Sequence, residues 1–410
     1  AERKEQSPQG NVPNKRAQSQ VYLNYAEHEE HLHKENVPNL RFPEFSGEWE
    51  SNELHKVASL SKGIGISKDQ LSDLGHPCIL YGELYTKYKS EIIREVYSKT
   101  QLDVANLVKS HTNDVIIPCS GEAAIEIATA RCVLIPDVLL GGDLNIIRLN
   151  GRHDGGFFAY QLNGKRKVDI AKVAQGVSVV HLYGEHLKKV KVAYPSLEEQ
   201  QKISSFLALL DERIATQIKI IEDLKKLKSA IRAKVFKQLE SSCECWSEIG
   251  NMLQYEQPSK YLVTSTEYSD SYTTPVLTAN KAFILGYTDE EFGIYSKGEC
   301  VIFDDFTMDV KYVNFPFKVK SSAIKILTAN SGNDLYFVYE YLQNLGLVSE
   351  EHKRHYISEI EPMVVACPTF EEQQNISILF RSFDSKIECA NRKLILYNKQ
   401  KQHLLSQMFI

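Results

Sequence analysis

Apolar residues recur with helical spacing in two long stretches of the chain. Steps of four and three residues from Ile203, and again from Ile376, reach apolar positions almost throughout. These positions are Ile203, Leu207, Leu210, Ile214, Ile221, Leu224, Ile231 and Val235 in the first stretch, and Ile376, Phe380, Phe383, Ile387, Leu394, Tyr397, Leu404 and Met408 in the second. A seam of this period over about forty residues is typical of a coiled-coil helix about 60 Å long. We therefore predict two long helices that use these residues as their packing seam.

The two stretches are copies of each other. The sequence PSLEEQQKIS, which begins at Pro195, returns as PTFEEQQNIS at Pro368. The repeat offset (368 − 195 = 173) holds without a gap to the end of the chain, and it pairs Asp211 with Asp384. The shared register favours two helices with the same role, although two amphipathic helices lying on separate cores remain the alternative.

Each copy has a sequence signal for the start of a helix. Ser196 with Glu199, and Thr369 with Glu372, have the spacing of a capping box, in which a hydroxyl and a carboxylate bind free amides of the first turn. The proline directly before each pair cannot continue a preceding helix. We therefore predict that a long helix begins at each of these pairs.

The two helices can pair with each other. Because each is preceded by a segment of similar length, an antiparallel pair related by a pseudo-twofold axis is the expected arrangement. It places Gln217 opposite the small Ala390. It also puts the seam lysines Lys228 and Lys401 at opposite ends of the pair, where each side chain is expected to extend to water.

The segments between the helices have a mixed pattern. Short apolar runs predict strands at 114–118, 131–135, 145–149 and 177–182, and again at 274–277, 298–303, 312–317 and 322–327, with an aromatic-rich helix at 334–345. Ser120 is expected to cap a short helix that runs to Ala130. The predicted class is α+β, with two globular domains separated by two long helices that form an antiparallel coiled coil in a pseudo-twofold repeat.

This organisation gives five parts. They are a polar extension at 1–35 that is expected to be disordered, a first domain at 36–195, a central helix at 196–240, a second domain at 241–367 and a C-terminal helix at 368–410. The extension has almost no apolar periodicity. Its Glu and His residues between 27 and 33 lack the His-Glu-x-x-His spacing of a zinc site.

Composition limits the class of protein. The chain has 410 residues, of which 43% are apolar, and this is enough for two or three domains. No run of about eighteen apolar residues occurs and no signal peptide is recognised, so a cytoplasmic protein without a membrane segment is expected. The eight cysteines form no Cys-x-x-Cys pair, which favours reduced thiols over a disulfide framework or a zinc site.

Charge gives a less direct signal. The net charge is −5, and residues 241–367 contain 9 Lys and Arg against 18 Asp and Glu. A protein that binds nucleic acid alone usually presents a basic surface. Either nucleic acid is not the ligand, or a partner supplies most of the phosphate contacts.

Catalytic motifs are not evident in the sequence. A Walker loop, a dinucleotide-binding fingerprint, a nucleophile elbow and the cofactor loop of a methyltransferase are all missing. Asp304, Asp305 and Lys311 suggest a nuclease, but adjacent acids on a strand point to opposite faces. We therefore predict no catalytic residue and no metal site, which favours a binding protein.

Several of these sequence motifs resemble those of a known protein family. The repeated Pro-x-x-Glu-Glu-Gln-Gln-x-Ile-Ser, the Lys-rich helices that follow it, and the lead-in NVPNLRFP at Asn36 are similar to the DNA specificity subunit of type I restriction-modification enzymes. The resemblance covers residues 36–410. It implies that each globular domain is a target recognition domain that reads one half of a bipartite, asymmetric DNA sequence. The helix pair would then set the spacing between the halves.

The resemblance also implies the partners. They are double-stranded DNA, two methylation subunits that bind S-adenosylmethionine, and restriction subunits that use ATP and Mg, with no cofactor on this chain. Two other classes remain open. One is a coiled-coil scaffold that does not read DNA, and the other is a methyltransferase with an unrecognised site that would itself bind S-adenosylmethionine.

Loop residues that can reach the major groove are the candidates for DNA contact. They are Ser120, Glu122, Lys165 and Arg166 in the first domain, and Asn280, Lys281, Thr307, Lys311 and Tyr312 in the second. Their side chains can hydrogen-bond base edges or phosphates. A purely structural role remains open for each of them.

Overall fold

The computed structural model describes residues 36–176, 179–278, 283–349 and 354–410 of the chain. Contacts between residues divide the chain into two units, one formed by residues up to 218 together with 392–410, and the other by 219–391. This division falls inside both long helices, whereas the predicted domain boundaries lie at the helix ends. Those boundaries stay a prediction.

The first unit is built from short strands and short helices. The strands are β1 (Glu50–Glu53), β2 (Ala58–Lys62), β3 (Leu71–Ser72), β4 (His76–Ile79), β5 (Ile92–Ile93), β6 (Ser98–Thr100), β7 (Asp114–Pro118), β8 (Ser120–Gly121), β9 (Arg131–Val133), β10 (Leu139–Leu140), β11 (Leu144–Leu149), β12 (Val180–His181) and β13 (Lys191–Tyr194). The helices are α1 (Leu54–Val57), α2 (Glu83–Thr86), α3 (Ala124–Ile127), α4 (Gly155–Asn163), α5 (Lys167–Val173) and α6 (Gly184–Leu187). The predicted strand at 114–118 is confirmed as β7.

Two sheets form the frame of the first unit. One has the strand order β2-β11-β7-β9-β5, and the other has the order β10-β4-β6-β3. Strand β7 is wholly buried because Val115 and Ile117 face one core while Ile116 faces another. Successive side chains of β7 therefore pack into two different cores.

Helix α4 covers the first of these cores. Asp154 caps the helix, since its carboxylate accepts a hydrogen bond from the Phe157 amide at 2.8 Å. Phe157, Phe158 and Tyr160 are fully buried. They share this core with Val115, so α4 fixes the position of the sheet relative to the helix start that follows β13.

The second unit is built in the same way. Its strands are β14 (Trp246–Glu248), β15 (Leu253–Glu256), β16 (Thr274–Leu277), β17 (Ile284–Thr288), β18 (Cys300–Asp304), β19 (Val310–Val313), β20 (Lys318–Val319), β21 (Ile324–Ala329) and β22 (Val364–Ala366). The long helices are α7 (Leu197–Ser242) and α10 (Phe370–Gln407), and the second unit also contains α8 (Ile249–Met252) and α9 (Leu335–Asn344). Asp334 caps α9 as Asp154 caps α4, by accepting from the Phe337 amide at 2.8 Å.

Strand order shows that the repeat extends beyond the helices. The order β15-β21-β18-β19 in the second unit matches β2-β11-β7-β9 in the first. Likewise β16 pairs antiparallel with β17 and parallel with β20, as β4 does with β6 and β10. The predicted α+β class with two globular parts and two long helices is confirmed.

The long helices occur where the apolar seams predict them. All the predicted seam residues lie in α7 or α10, or directly after α10 in the case of Met408, and all are buried or half-buried. Near the helix ends these residues belong to the cores of the units, as Ile203 and Leu207 do in the first. The seam therefore packs on globular structure as well as on a second helix.

The direction of the helices is visible within the second unit. Lys228 binds Asp384, while Phe236, eight residues further along α7, stacks on Phe380, four residues earlier in α10. The two helix segments of this unit therefore run antiparallel. The predicted contact of Gln217 with Ala390 would join residues of different units and stays a prediction.

One of the two predicted capping boxes is complete. The Thr369 amide and hydroxyl donate to Glu372 Oε2 at 2.9 and 2.7 Å, and the Glu372 amide donates back to Thr369 Oγ1 at 3.4 Å. At the other copy only the bond from the Glu199 amide to Ser196 Oγ is present, at 3.4 Å. The Glu199 carboxylate binds elsewhere, as described below.

Two local predictions are wrong. Ser120 does not cap a helix, because it lies in β8 opposite His181, and α3 begins after Ala123 without a side-chain cap. The strand expected at 312–317 lies at Val310–Val313, where it pairs with β18. Both differences arise from pairing with strands that are distant in sequence, which local patterns do not report.

Two expectations concern the chain as a whole. The extension expected at 1–35 lies outside the described residues. Within the described part of the chain, every helix is too short or too polar to cross a bilayer.

Candidate functional site

The seam lysines lie where the globular structure meets the helices. Lys401 Nζ is 2.6 Å from Asp211 Oδ1 and also binds Glu91, and the Lys401 side chain is 14% exposed. The Tyr160 hydroxyl donates to Asp211 Oδ2 at 2.8 Å. We call Glu91, Tyr160, Asp211 and Lys401 the first hub. The expectation that Lys401 extends to water is wrong, because two buried carboxylates bind it.

Burial and the neighbouring charges together shift the pKa values of the first hub. Burial alone would raise the pKa of Glu91, but the charges of Lys401 and Arg131 outweigh it and hold that pKa well below its usual range. Burial and the nearby Glu91 carboxylate raise the pKa of Asp211. Burial would lower the pKa of Lys401, yet Glu91 and Asp211 raise it above its ordinary value. The lysine is therefore the charged centre that holds the two acids together.

The second unit has an equivalent arrangement. Lys228 Nζ lies 2.6 Å from Asp384 Oδ1 and 2.7 Å from Glu340 Oε1, and Arg232 Nε donates to Glu340 at 2.7 Å. The Tyr336 hydroxyl binds Asp384. We call these five residues the second hub. Lys228 is only 9% exposed on its side chain, so the expectation of a water-exposed lysine is wrong here too.

The two hubs are related by the sequence repeat. Asp384 corresponds to Asp211 at the repeat offset, and Lys401 corresponds to Lys228 at the same offset. Each hub therefore takes its aspartate from one copy and its lysine from the other. The sequence pattern placed the two lysines in the seam and paired the two aspartates through the repeat, but it did not reveal Glu91 and Glu340, which come from the globular parts.

A buried glutamine joins each helix start to its globular unit. Gln200 Oε1 accepts from the Asp154 amide at 3.0 Å, and its Nε2 donates to the Pro195 carbonyl at 2.8 Å. Gln373 makes the same two bonds, at 2.9 Å to Asp334 and 3.0 Å to the Pro368 carbonyl. The first glutamine of each repeated Glu-Glu-Gln-Gln therefore bridges the capping aspartate of α4 or α9 to the proline before the long helix. We call this bridge the glutamine clamp.

The first unit has an additional contact from the lead-in segment. Arg41 binds both oxygens of Glu199 through Nε and Nη2, each at 2.7 Å, and the Glu199 side chain is 1% exposed. This fork explains why Glu199 does not complete its capping box. The carboxylate of the equivalent Glu372 caps Thr369 instead.

The candidate DNA-contact residues of the first unit differ in their surroundings. Ser120 is half-buried in β8 with its Oγ 3.3 Å from His181 Nδ1, and Glu122 is exposed. Arg166 donates to the Ile410 carbonyl at 2.8 Å and has a structural partner there. Lys165 is half-buried beside it. DNA contact stays a prediction for all four.

The described DNA-contact candidates of the second unit each have a different partner. Thr307 is exposed and donates to Asp304 Oδ2 at 2.7 Å, and Lys311 Nζ lies 4.0 Å from Asp309. The Tyr312 hydroxyl accepts from Arg381 at 2.8 Å, and its ring packs against Tyr336.

These partners place Tyr312 of β19 against α9 and α10. Asn280 and Lys281 lie outside the described residues. DNA contact stays a prediction for this group as well. In the part of the chain that the structure describes, no three His, Cys, Asp or Glu residues are grouped so as to hold a metal ion.

Comparison with known proteins adds an independent observation. A family model described as the type I restriction modification DNA specificity domain matches residues 47–226. The specificity subunit of the type I restriction enzyme EcoR124I/EcoR124II of Escherichia coli is 46% identical over 136 residues, which are 31% of this chain and 34% of that protein. A putative type I restriction enzyme MjaX specificity subunit of Methanocaldococcus jannaschii is 23% identical over 426 aligned positions, covering 91% of this chain and 95% of that protein.

The chain is similar to type I restriction enzyme specificity subunits. Solved structures agree on the fold. The S subunit of a type I restriction-modification system from M. genitalium has a TM-score of 0.61 at 16% identity, over 91% of this chain and 99% of that one. A chain from a study of complex assembly and conformational transition of the type I R-M system has a TM-score of 0.53 at 14% identity, over 88% and 97%.

Coverage differs between these relatives. The match at higher identity spans only about a third of the E. coli subunit. The M. jannaschii relative and the M. genitalium structure match along nearly their whole length. The similarity therefore extends along most of the chain, and the higher sequence identity is confined to one part of it.

Proposed function

We propose that this chain is the non-catalytic DNA specificity subunit of a type I restriction-modification complex. Each unit reads one half of a bipartite, asymmetric DNA sequence, and the long helices set the spacing between the halves. The observation that supports this most is the repeat itself. Two units with matching strand orders are anchored through equivalent hubs, yet Tyr183 is exposed in the first unit and its counterpart Tyr356 is buried in the second.

Two units that share a fold but differ in their surfaces suit an asymmetric DNA target. Two identical readers related by a twofold axis select a palindrome, because each half-site must satisfy the same side chains. His181 of the first unit has no identical counterpart at the repeat offset, where the sequence has Arg354. The two half-sites are therefore expected to differ in sequence.

Catalysis belongs to partners in this proposal. Two methylation subunits bring S-adenosylmethionine and methylate a flipped adenine in each half-site, and restriction subunits add ATP- and Mg-dependent cleavage. The second unit is acidic between 241 and 367, so the methylation subunits are expected to supply much of the positive charge around the DNA. No cofactor is assigned to this chain.

The acidic second unit also favours a second candidate function. A scaffold that assembles proteins through its long helices, without reading DNA, would need no basic surface. The two candidates differ in one measurable property. Only the specificity subunit gives its complex a preference for a DNA sequence.

Selection from random double-stranded DNA separates the two functions. The complex of this chain with its methylation subunits is incubated with the random pool, and the bound DNA is sequenced. We expect two short motifs at a fixed separation that differ from each other. The methylation subunits alone provide the control, and a complex that selects no motif would favour the scaffold.

A further inference from the structure

A group of polar and aromatic side chains lies together on the first unit. His181 in β12 pairs across to Ser120 in β8, and Ser120 Oγ is 3.3 Å from His181 Nδ1. The Tyr183 ring lies 6.2 Å from the His181 ring and 5.6 Å from the His186 ring, measured between centroids. Lys62 Nζ lies 6.0 Å from the Tyr183 centroid. We call these five residues the His181 patch.

The backbone beneath the patch is held in place. The Leu182 amide donates to the Cys119 carbonyl at 2.8 Å, and Asn145 Nδ2 donates to the Leu182 carbonyl at 2.9 Å. Leu182 itself is 1% exposed, so it anchors the residues on either side of it. The two rings at 181 and 183 are therefore displayed from a fixed base.

One histidine of the patch has a defined tautomer. His186 Nδ1 lies 3.1 Å from the Val173 carbonyl oxygen. Because a carbonyl can only accept, Nδ1 is the donor in this bond. His186 Nε2 is left to accept a hydrogen bond in the neutral ring or to donate one in the charged ring.

Packing does not explain the patch. Tyr183 is 45% exposed, and Lys62 and His181 are exposed as well. The clusters of buried residues that form the cores of this unit do not include the three rings. A tyrosine flanked by a lysine and two imidazoles on a pinned backbone has the chemistry of a surface for a polar, anionic and partly aromatic ligand.

We propose that the His181 patch is the DNA-contact surface of the first recognition unit. This inference rests on the proposed function. Lys62 binds a phosphate, Ser120 and His181 bind base edges, and Tyr183 gives an apolar contact to a base or sugar. Glu122, exposed two residues beyond Ser120, adds an acceptor that suits the exocyclic amine of cytosine.

The second unit lacks this arrangement at the equivalent position. Tyr356 corresponds to Tyr183 at the repeat offset, but it is fully buried and begins a π-helical turn at Tyr356–Ile360. The Tyr356 ring packs on Phe303 instead of facing solvent. Two units with the same frame therefore present different chemistry, as an asymmetric target requires.

Substitutions in the assembled complex test the patch. The complex with methylation subunits is prepared with His181→Ala, Tyr183→Ala or Lys62→Ala, and its binding to the motif selected by the unmodified complex is measured over a range of salt. Tyr183→Phe keeps the ring and serves as the conservative variant. His111→Ala and Lys109→Ala are matched controls, because both residues are exposed and the length of β7, roughly 16 Å, separates them from the patch.

The expected losses differ by residue. His181→Ala and Tyr183→Ala each weaken binding roughly tenfold or more and relax the preference at one half-site only. Lys62→Ala lowers the slope of log affinity against log salt by about 1 and leaves the preference unchanged. The two controls keep the affinity of the unmodified complex within about threefold, which is less than about 1 kcal/mol. Tyr183→Phe, which keeps the ring, loses less affinity than Tyr183→Ala.

Other results would overturn the proposal in distinguishable ways. If the unmodified complex selects a motif and the patch variants bind and select like it, the patch does not contact DNA, while the proposed function is unaffected. If the patch variants fail to assemble with the methylation subunits, the patch is a protein-docking surface instead. If the unmodified complex selects no motif, the proposed function fails and the patch proposal fails with it.

Discussion

Lys401 near the end of α10 lies 2.6 Å from Asp211 in α7. Lys228 in α7 lies 2.6 Å from Asp384 in α10, so the same pair forms with the roles of the helices exchanged. Exchange of this kind follows from a repeat whose copies pair with each other. The two Lys–Asp pairs therefore contribute to the specific pairing of the two helix copies.

The first hub predicts a large effect of a single substitution. Lys401→Met removes the cation and leaves Glu91 and Asp211 buried side by side. Removal of one partner of a buried pair typically costs about 3–5 kcal/mol, so we expect the free energy of unfolding of the first unit to fall by about that amount. Urea unfolding, monitored by hydrogen exchange in each unit, measures this loss of unfolding free energy. Lys399→Met, at an exposed position of the same helix, is the control, and equal losses in the two variants would contradict the role of the hub.

The two repeated glutamines of each copy should differ in importance. Gln200 and Gln373 are buried clamps, whereas their neighbours Gln201 and Gln374 are exposed. Gln200→Ala leaves the Asp154 amide and the Pro195 carbonyl without their partner, which costs about 1–3 kcal/mol.

We expect Gln373→Ala to have a similar cost in the second unit. Gln201→Ala and Gln374→Ala should stay within about 0.5 kcal/mol of the unmodified chain. Chemical unfolding of all four variants provides the measurement. The clamp is disproved if the exposed and buried positions lose stability equally.

The lead-in segment predicts a contrast between buried and exposed ion pairs. Arg41→Ala leaves Glu199 as a buried carboxylate without its bidentate partner. We expect the free energy of unfolding to fall by about 3 kcal/mol. Lys188→Ala removes an exposed pair with Glu185, which is 79% exposed, and should cost at most about 1 kcal/mol. Thermal unfolding of both variants tests this order, and a larger loss for Lys188→Ala would reverse it.

Stability of the first unit should depend on pH through Glu91. Its pKa is lowered from 4.5 to about 2 by Lys401 and Arg131 against the effect of burial, so the charged carboxylate stabilises the folded state. This contribution is complete above about pH 4.5 and is lost as the pH falls toward about 2. The raised pKa of Asp211 acts in the opposite direction and reduces the net slope.

A variant isolates the Glu91 contribution. Glu91→Gln should lower stability at neutral pH and flatten the decline between about pH 4.5 and 2. Melting temperatures of the variant and the unmodified chain over this range provide the comparison. Parallel curves for the two proteins would show that Glu91 does not titrate as described.

Sequence reasoning was strongest where the structure is periodic. The apolar steps from Ile203 and Ile376 predicted both long helices, because helical spacing is a local property. It was weaker where partners come from distant segments. Nothing local to Lys401 reveals that Glu91 lies against it, so the lysine was expected in water.

The repeat does not predict whether equivalent positions are buried. Tyr183 and Tyr356 are equivalent at the repeat offset, yet one is exposed and the other is buried. Ser120 was chosen for DNA contact from its turn-like sequence, but its position beside His181 depends on pairing between β8 and β12. Such a surface is assembled from separate loops and cannot be read from any one stretch.

Mapping of methylated adenines tests the central claim most directly. The chain is co-expressed with the methylation subunits of its system, and modified adenines across the host DNA are located by single-molecule sequencing. We predict one split motif with two unlike halves at a fixed separation, present only when this chain is expressed. Methylation without such a motif, or the same motif in the absence of this chain, would contradict the claim that it reads the DNA sequence.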